Sequence, residues 1–503
     1  MPTFLLFSFV IGYFVLLLLV AWRTSRHSNN DSFFIGNRNS NWMLVAFGMI
    51  GTSLSGVTFV SVPGTVGDFA GDAFKGFGYF QVIIGYWIGY FVIAFVLLPL
   101  YYRLHLTSIY NYLQTRFGPI AYRTGALFFI ISRTVGATAR LYLVINVLHI
   151  FILKDLGVPF GVTTFVILLM ILLYTFEGGV KTIVYTDTLQ TTFMLLGLVV
   201  CIVYILQHLD LSVGGALQTL GDRGFTRIFN MDINSKGFFV KQIVGGMFIA
   251  IAMTGLDQEM MQKNISVKNI GDSKKNVVVF SFVMVLVSFL FLLLGGLLYL
   301  FTLHQGAVYQ GHQLLLNGQN VIGDDLFPTL ALHYLPKAVS IIFIIGLISA
   351  LFPSADGALT ALTSSFCIDL LDLRNRPGTS EQQQKRTRMI VHMSFALLFL
   401  ACILVFKWVD NKSIINTVLE LAGYTYGPLL GLFAFGIFTR RVLGNTWKIT
   451  ALCLLAPACC YVISRYSAVW LSGFQIGIEL LLLNGVLTFM GLWALSKKPA
   501  VTN

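Results

Sequence analysis

The chain has 503 residues, of which 56% are hydrophobic and only 11% charged, against roughly 25% charged in an ordinary soluble protein. That balance excludes a soluble globular domain. The formal charge of +12 calls for no nucleic acid, because the positions of the basic residues along the chain account for it.

Apolar runs of about 20 residues, each able to cross roughly 30 Å of hydrocarbon, recur along nearly the whole length. Thirteen spans are predicted, at 4–22, 41–65, 77–100, 125–150, 159–175, 183–207, 239–256, 277–303, 338–368, 389–409, 414–438, 446–464 and 472–495. The first has no positively charged start and no convincing small-residue cleavage site, so it is expected to stay as a helix and not to leave as a signal peptide. In the second, "MIGTSLSGVTFVSVPG" at 49–64 crowds Gly51, Thr52, Ser53, Ser55, Gly56, Thr58 and Ser61 into the bilayer centre. These residues weaken a helix and free backbone carbonyls. The fourth span carries Arg133 and Arg140, seven residues apart and hence on one face. An arginine at this depth is either partner to an acid such as Asp356 or Glu420, or receptor for an anionic solute, unless it snorkels to the interface.

Asp187 opens the sixth span between Thr186 and Thr188. The seventh ends early, at Thr254, Gly255 and Asp257 in "GGMFIAIAMTGLDQEMMQ". Irregular backbone at this depth is tolerated only when packed in protein or lining a cavity, and five spans separate this break from the one in the second span. That spacing fits two inverted five-helix halves, each with a broken first helix; small residues at close helix crossings are the alternative. In the ninth span Ser349, Pro353, Asp356, Thr360 and Ser364 recur every three or four residues on one polar face. Pro353 has no N–H and frees a carbonyl near Ser349 and Ala350. Hydroxyls, carbonyls and a carboxylate are hard oxygen ligands suited to an alkali cation, while a salt bridge from Asp356 to Arg133 or Arg140 is the structural alternative. Glu420 and Tyr424 in the eleventh span line a solute cavity or pair across helices. All six cysteines fall in apolar spans and read as small buried hydrophobes. The connections at 208–236 and 304–336 are long enough for short surface helices.

An outside N-terminus and cytoplasmic C-terminus put 21 Lys and Arg in cytoplasmic connections and 10 in external ones, of 33 in all. The opposite orientation would invert that bias. No HExxH, GxSxG or GxxxxGK occurs and the eight histidines are scattered, so no enzyme is expected.

Four stretches stand in order along nearly the whole chain: "RLHLTSIYNYLQTRFG" at 103–118, "YTFEGGVKTIVYTDTLQ" at 174–190, "DQEMMQKN" at 257–264 and "GPLLGLF" at 427–433. Together they resemble the sodium:solute symporter family. The resemblance implies an all-α polytopic membrane protein of about 13 transmembrane helices, with a core of two inverted five-helix repeats that work by alternating access. One membrane domain would fill residues 1–503, with an extra helix and loop at 1–38, repeats at 39–207 and 238–439, and two peripheral helices at 440–503. It implies Na+ as the coupling ion, held by carbonyls of Gly51, Leu54 and Ala350 and by hydroxyls at 353 and 354. Ser354 fits and Pro353 departs. Members that bind an additional sodium use serines further along this helix with the acid equivalent to Asp187, and Asp356 stands at one of those serine positions. Asp356 is therefore expected to supply what Pro353 lacks, as a direct sodium ligand or as a proton-exchanging carboxylate. The family's solute pocket maps to Ser55, Thr58, Gln81, Arg140, Asp257 and Glu420. In the sialic-acid branch an arginine holds the substrate carboxylate, and Arg133 and Arg140 are both candidates for that position.

The expected function is a sodium-driven symporter in the cell (cytoplasmic) membrane, taking up a small polar solute, with a carboxylate or sugar acid among the candidates. Sodium- or proton-coupled uptake of a neutral sugar or polyol is the alternative, followed by a sensor or channel of the same fold. The partners expected are solute, sodium and lipid, with no nucleic acid and no obligate protein.

Overall fold

A computed structural model describes residues 3–25, 33, 40–70, 74–175, 179–310, 313–373, 380–409, 414–444 and 446–498. Among these, seven helices are long and apolar enough to cross a membrane, or up to ten if each of three bent pairs counts as one span. Three shorter apolar helices accompany them. Residues 176–178, within one of the four family-like stretches, lie outside the described residues.

Helix α1 covers Thr3–Ser25, α2 Trp42–Ser53 and α3 Gly56–Gly64. Asn41 starts α2 by accepting a hydrogen bond from the Met43 N–H at 2.9 Å. Leu54 leaves the helical region at φ −90°, ψ 73°, and α3 resumes bent by 54°. The small hydroxyl-bearing residues at the break are those the sequence marks. Helix α4 runs over Phe80–Arg103, α5 over Asn111–Phe117, α6 over Pro119–Leu153, α7 over Phe160–Thr175 and α8 over Gly179–His208. After α9, Val213–Asp222, comes the second bent pair: α10, Phe239–Gly255, and α11, Gln258–Ile265, at 63°. Here α10 loosens into a π-turn, and Asp257 caps α11 by accepting from the N–H groups of Glu259 and Met260 at 2.9 and 3.3 Å.

Helix α12 spans Ile270–His304. The connection after it departs from an all-helical expectation: Val308–Gln310, Gln313–Leu316 and Gln319–Asn320 form an antiparallel sheet β1-β2-β3. Asn317 and Gly318, at φ 51° and 79°, make its tight turn. There follow α13 (Leu326–His333), α14 (Lys337–Leu370), α15 (Glu381–Val409), α16 (Ile414–Thr425) and α17 (Gly427–Phe438). The last pair bends by 46° where Pro428 cannot continue the helix. Helices α18, Lys448–Trp470, and α19, Leu480–Leu495, complete the chain. Cys459 on α18 is exposed and Cys402 on α15 is half-buried, so two cysteines depart from the buried expectation.

The packing places α14 against α8, α8 against α2, and α4 against α10. Small residues permit the closest of these approaches: a Cβ on Gly246 of α10 would lie 2.6 Å from the Val82 carbonyl of α4. The two broken pairs thus meet at the molecule's centre, between α6, α8 and α14.

Candidate functional site

Charges that cannot reach water must find each other, and at this centre they do. Arg133 of α6 is buried, ion-paired with Glu259 and 3.8 Å from Asp257. Lys263 of α11, equally buried, places its Nζ 2.7 Å from Asp187 and 2.7 Å from the Thr52 hydroxyl, with Glu259 at 3.6 Å. Thr52 also donates to Asp187 at 3.2 Å. The other break is braced by hydroxyls: Tyr426 donates to Asp257 at 2.8 Å and Tyr101 to the Gly255 carbonyl at 2.7 Å.

The polar face of α14 is entirely buried; three of its groups meet neighbouring elements, while the Thr360 hydroxyl has no hydrogen-bond partner among the described residues. Ser349 donates to the Tyr13 hydroxyl at 2.8 Å, Tyr174 donates to Asp356 at 2.8 Å, and Gln262 donates to Ser364 at 3.2 Å. Ser354 turns its hydroxyl to the Leu351 carbonyl at 2.9 Å. No ion pair forms between Asp356 and Arg133 or Arg140 among the described residues. The salt-bridge alternative for Asp356 is therefore not what the structure contains.

The break of α2 lies on the proline turn of α14. A Cβ on Gly51 would lie 3.6 Å from Pro353 Cγ, and one on Gly56 would lie 3.9 Å from the Ala350 carbonyl. Beside this junction Ser55 and Thr58 line a cavity of about 60 Å³ with Ser53, Tyr79, Tyr86 and Arg140. Arg140 also borders an adjoining cavity of about 70 Å³ that reaches Arg133 and Thr254. Unlike Arg133, Arg140 has no carboxylate within ion-pairing distance among the described residues. Both spaces hold only a few waters' worth of volume, so entry of a sugar-sized solute requires the walls to part. Glu420 is exposed and borders an outer cavity of about 140 Å³ with Tyr79 and Leu419.

Two of the expected solute residues are occupied otherwise. The Gln81 amide is fully buried, donating to Gly78 and Gly237 carbonyls at 2.9 and 3.5 Å and accepting from Asn230 N–H at 3.3 Å. Asp257 serves as helix cap and ion-pair partner, which removes both its oxygens from solute contact. Sequence reasoning missed Lys263 and Glu259, although the signal stood in "DQEMMQKN": a Glu and a Lys four apart around two methionines in a chain with few charges.

The sodium:solute symporter family model matches residues 33–446. The sodium/sialic acid symporter NanT of Aliivibrio fischeri is 24% identical, covering 83% of this chain and 79% of its own. The sodium/sialic acid symporter SiaT of Proteus mirabilis is 23% identical over 87% and 85%. The human sodium/iodide cotransporter is 24% identical over 87% and 66%. A solved structure described as a substrate-bound outward-open state of a Na+-coupled sialic acid symporter superposes with a TM-score of 0.81 at 18% identity, covering 98% of this chain and 99% of that one. At that identity the likeness establishes the fold.

Proposed function

The chain belongs to the sodium:solute symporter family, a multi-pass membrane transporter coupling sodium to solute uptake, and we propose that its solute is a small carboxylate received by Arg140. The observation that carries this is the contrast between the two intramembrane arginines. Arg133 spends its charge on Glu259 and Asp257, whereas Arg140 borders both inner cavities with no carboxylate partner among the described residues. A guanidinium fork matches a carboxylate with two parallel hydrogen bonds. Two relatives named for sialic acid, a sugar acid, lend support.

Within this reading sodium is held by the carbonyls of Gly51, Leu54 and Ala350 and the hydroxyl of Ser354, with Asp187 and Asp356 supplying negative charge beside it. The ion fastens α2 to α14, and because that contact differs between open states, sodium shifts the population that accepts solute. The chain crosses the cell membrane thirteen times, N-terminus outside, its core two inverted repeats at 39–207 and 238–439. The basic-residue bias and the bends of 54° and 63° that open the two halves support this arrangement.

The test is a thermal-shift screen of monocarboxylates, sugar acids, neutral sugars and polyols, with NaCl or choline chloride, on the wild type and Arg140→Gln, since ligands that bind the folded state raise its stability. A sodium-dependent shift with an acid, absent in Arg140→Gln, is expected. Stabilisation by a neutral sugar that survives Arg140→Gln would reject the carboxylate and favour a neutral solute.

A further inference from the structure

The sodium site as proposed above lacks one oxygen, because Pro353 stands where a hydroxyl is required, and the inference below rests on that site. Asp356 has other partners: its Oδ2 accepts the Tyr174 hydroxyl at 2.8 Å and its Oδ1 accepts the Gly357 N–H. We propose that Thr191 of α8 supplies the missing oxygen, its hydroxyl taking the ligand position that Pro353 leaves empty.

Three observations converge on Thr191. It is fully buried, and its Oγ1 has no hydrogen-bond partner among the described residues. Neighbouring threonines on the same helix behave differently: Thr186, Thr188 and Thr192 each donate to the carbonyl four residues earlier, at 3.3, 2.8 and 2.9 Å. Thr191 forgoes that local bond, although leaving a buried hydroxyl unsatisfied costs about 1–3 kcal/mol. Its direction explains the exception. A Cβ added to Gly51 would collide with Thr191 Oγ1 while lying 3.6 Å from Pro353 Cγ, so the hydroxyl lies against the residue whose carbonyl is a proposed ligand, and the ring of Pro353 borders the same glycine.

The backbone around the break is prepared in the same sense. Leu54 N–H bonds to the Ile50 carbonyl, and no backbone N–H bonds to the carbonyls of Gly51 or Leu54 among the described residues. Glycine at 51 leaves the space that Thr191 Oγ1 fills. Gly51, Leu54, Ala350, Ser354 and Thr191 together offer five neutral oxygens, the hard donor set an alkali cation prefers. The fifth comes from α8, so sodium would tie α8 as well as α14 to the broken helix.

Sodium itself is the probe. Thermal stability is titrated with NaCl at constant ionic strength in choline chloride, giving a half-saturating concentration without reference to solute. Thr191→Val removes the oxygen at constant shape and is expected to raise that concentration about tenfold or more, the size of one lost charge–dipole contact. Thr191→Ser is expected to restore it, and so is Pro353→Ser placed in the Thr191→Val background. If Thr191→Val fails to fold, Thr191→Ala carries the same expectation. Ser354→Ala is the reference for the site as a whole. A wild-type titration in Thr191→Val alongside a shifted one in Ser354→Ala overturns the role of Thr191 and keeps the sodium site. Wild-type titrations in both overturn the site itself. A shift that neither serine variant restores is a packing effect, and it also overturns the proposal.

Discussion

Replacing Lys263 by Met tests whether the central cluster is a coupled unit. The ammonium makes two contacts of 2.7 Å, to Asp187 and to the Thr52 hydroxyl. Its removal leaves Asp187, which is 1% exposed, with only the Thr52 hydroxyl at 3.2 Å and one oxygen already without a partner. Stranding one charge of a buried pair costs about 3–5 kcal/mol. Asp187→Asn strands the ammonium instead, where Glu259 at 3.6 Å offers partial relief, so its cost falls toward the lower end of that range. The double variant Lys263→Met/Asp187→Asn leaves neither charge stranded. Its cost should lie well below the sum of the two singles, with a coupling of about 2–3 kcal/mol in the cycle. Unfolding entropy of roughly 2.1 cal/mol/K per residue makes each kilocalorie about one degree for a chain this long. The singles should thus melt about 3–5 °C lower, and the double should recover part of that. Melting is followed in detergent and choline chloride, so that sodium binding does not enter. Additive shifts would refute the pairing.

Two further predictions concern single carboxylates. Asp324 lies in the connection between α12 and α14 and accepts the Ile414 N–H at 3.0 Å; desolvation raises its carboxyl from 3.8 to about 6, against the pull of that hydrogen bond. A folded pKa above the unfolded one gives stability that is complete below about pH 4 and lost as pH rises through about 6, so the wild type should lose melting temperature over that window. Asp324→Asn, which keeps the acceptor and cannot titrate, should show a flatter profile; parallel profiles would sink the assignment. Asp356→Asn keeps an acceptor for the Tyr174 hydroxyl and removes the charge, and it should fold, yet lose or alter the sodium dependence of uptake into proteoliposomes. Normal uptake with normal sodium dependence would remove Asp356 from the mechanism.

The sequence exposes the parts of this site that depend on local chemistry. Gly51 to Ser61 and Thr254 to Asp257 announce their breaks because small and hydroxyl residues weaken helices wherever they stand. Arg133, Arg140, Asp187 and Asp356 announce themselves by charge alone in apolar spans. Pairing is a different matter, because it depends on how elements hundreds of residues apart dock. The stretch 257–264 reads as a polar connection leaving the membrane, but α11 bends by 63° and buries all eight of its residues from Gln258 to Ile265. That bend brings Lys263 to Asp187 and Glu259 to Arg133. Thr191 is hidden for a similar reason: in "TDTLQTT" nothing local separates a threonine bonded to its own helix from one turned toward another. The small sheet could have been read, since Asn317-Gly318 directly after the apolar Leu314–Leu316 is a hairpin signal.

In the proposed mechanism, the charge count at the centre gives a reason for sodium and a carboxylate to travel together. Arg133 and Lys263 are paired among Asp187, Asp257 and Glu259, with Asp356, held by Tyr174, within the field of Lys263, and Arg140 borders the cavity that reaches Arg133. Asp369 stands apart, held by Tyr122 and Ser365. With all seven groups ionised the cluster carries one excess negative charge, which a poorly solvated interior does not tolerate cheaply. A sodium ion held at the α2 break, as proposed, would cancel that excess. An anion arriving at Arg140 before the ion would enlarge it; after the ion, it meets a neutral surround with one guanidinium still unpaired. Each ligand therefore improves the field for the other, and by linkage the gain is equal in both directions. Coupling of this kind needs no contact between ion and solute. It needs only that Arg133 remain spent on Glu259 and Asp257, for a free guanidinium there would bind the anion without waiting for sodium.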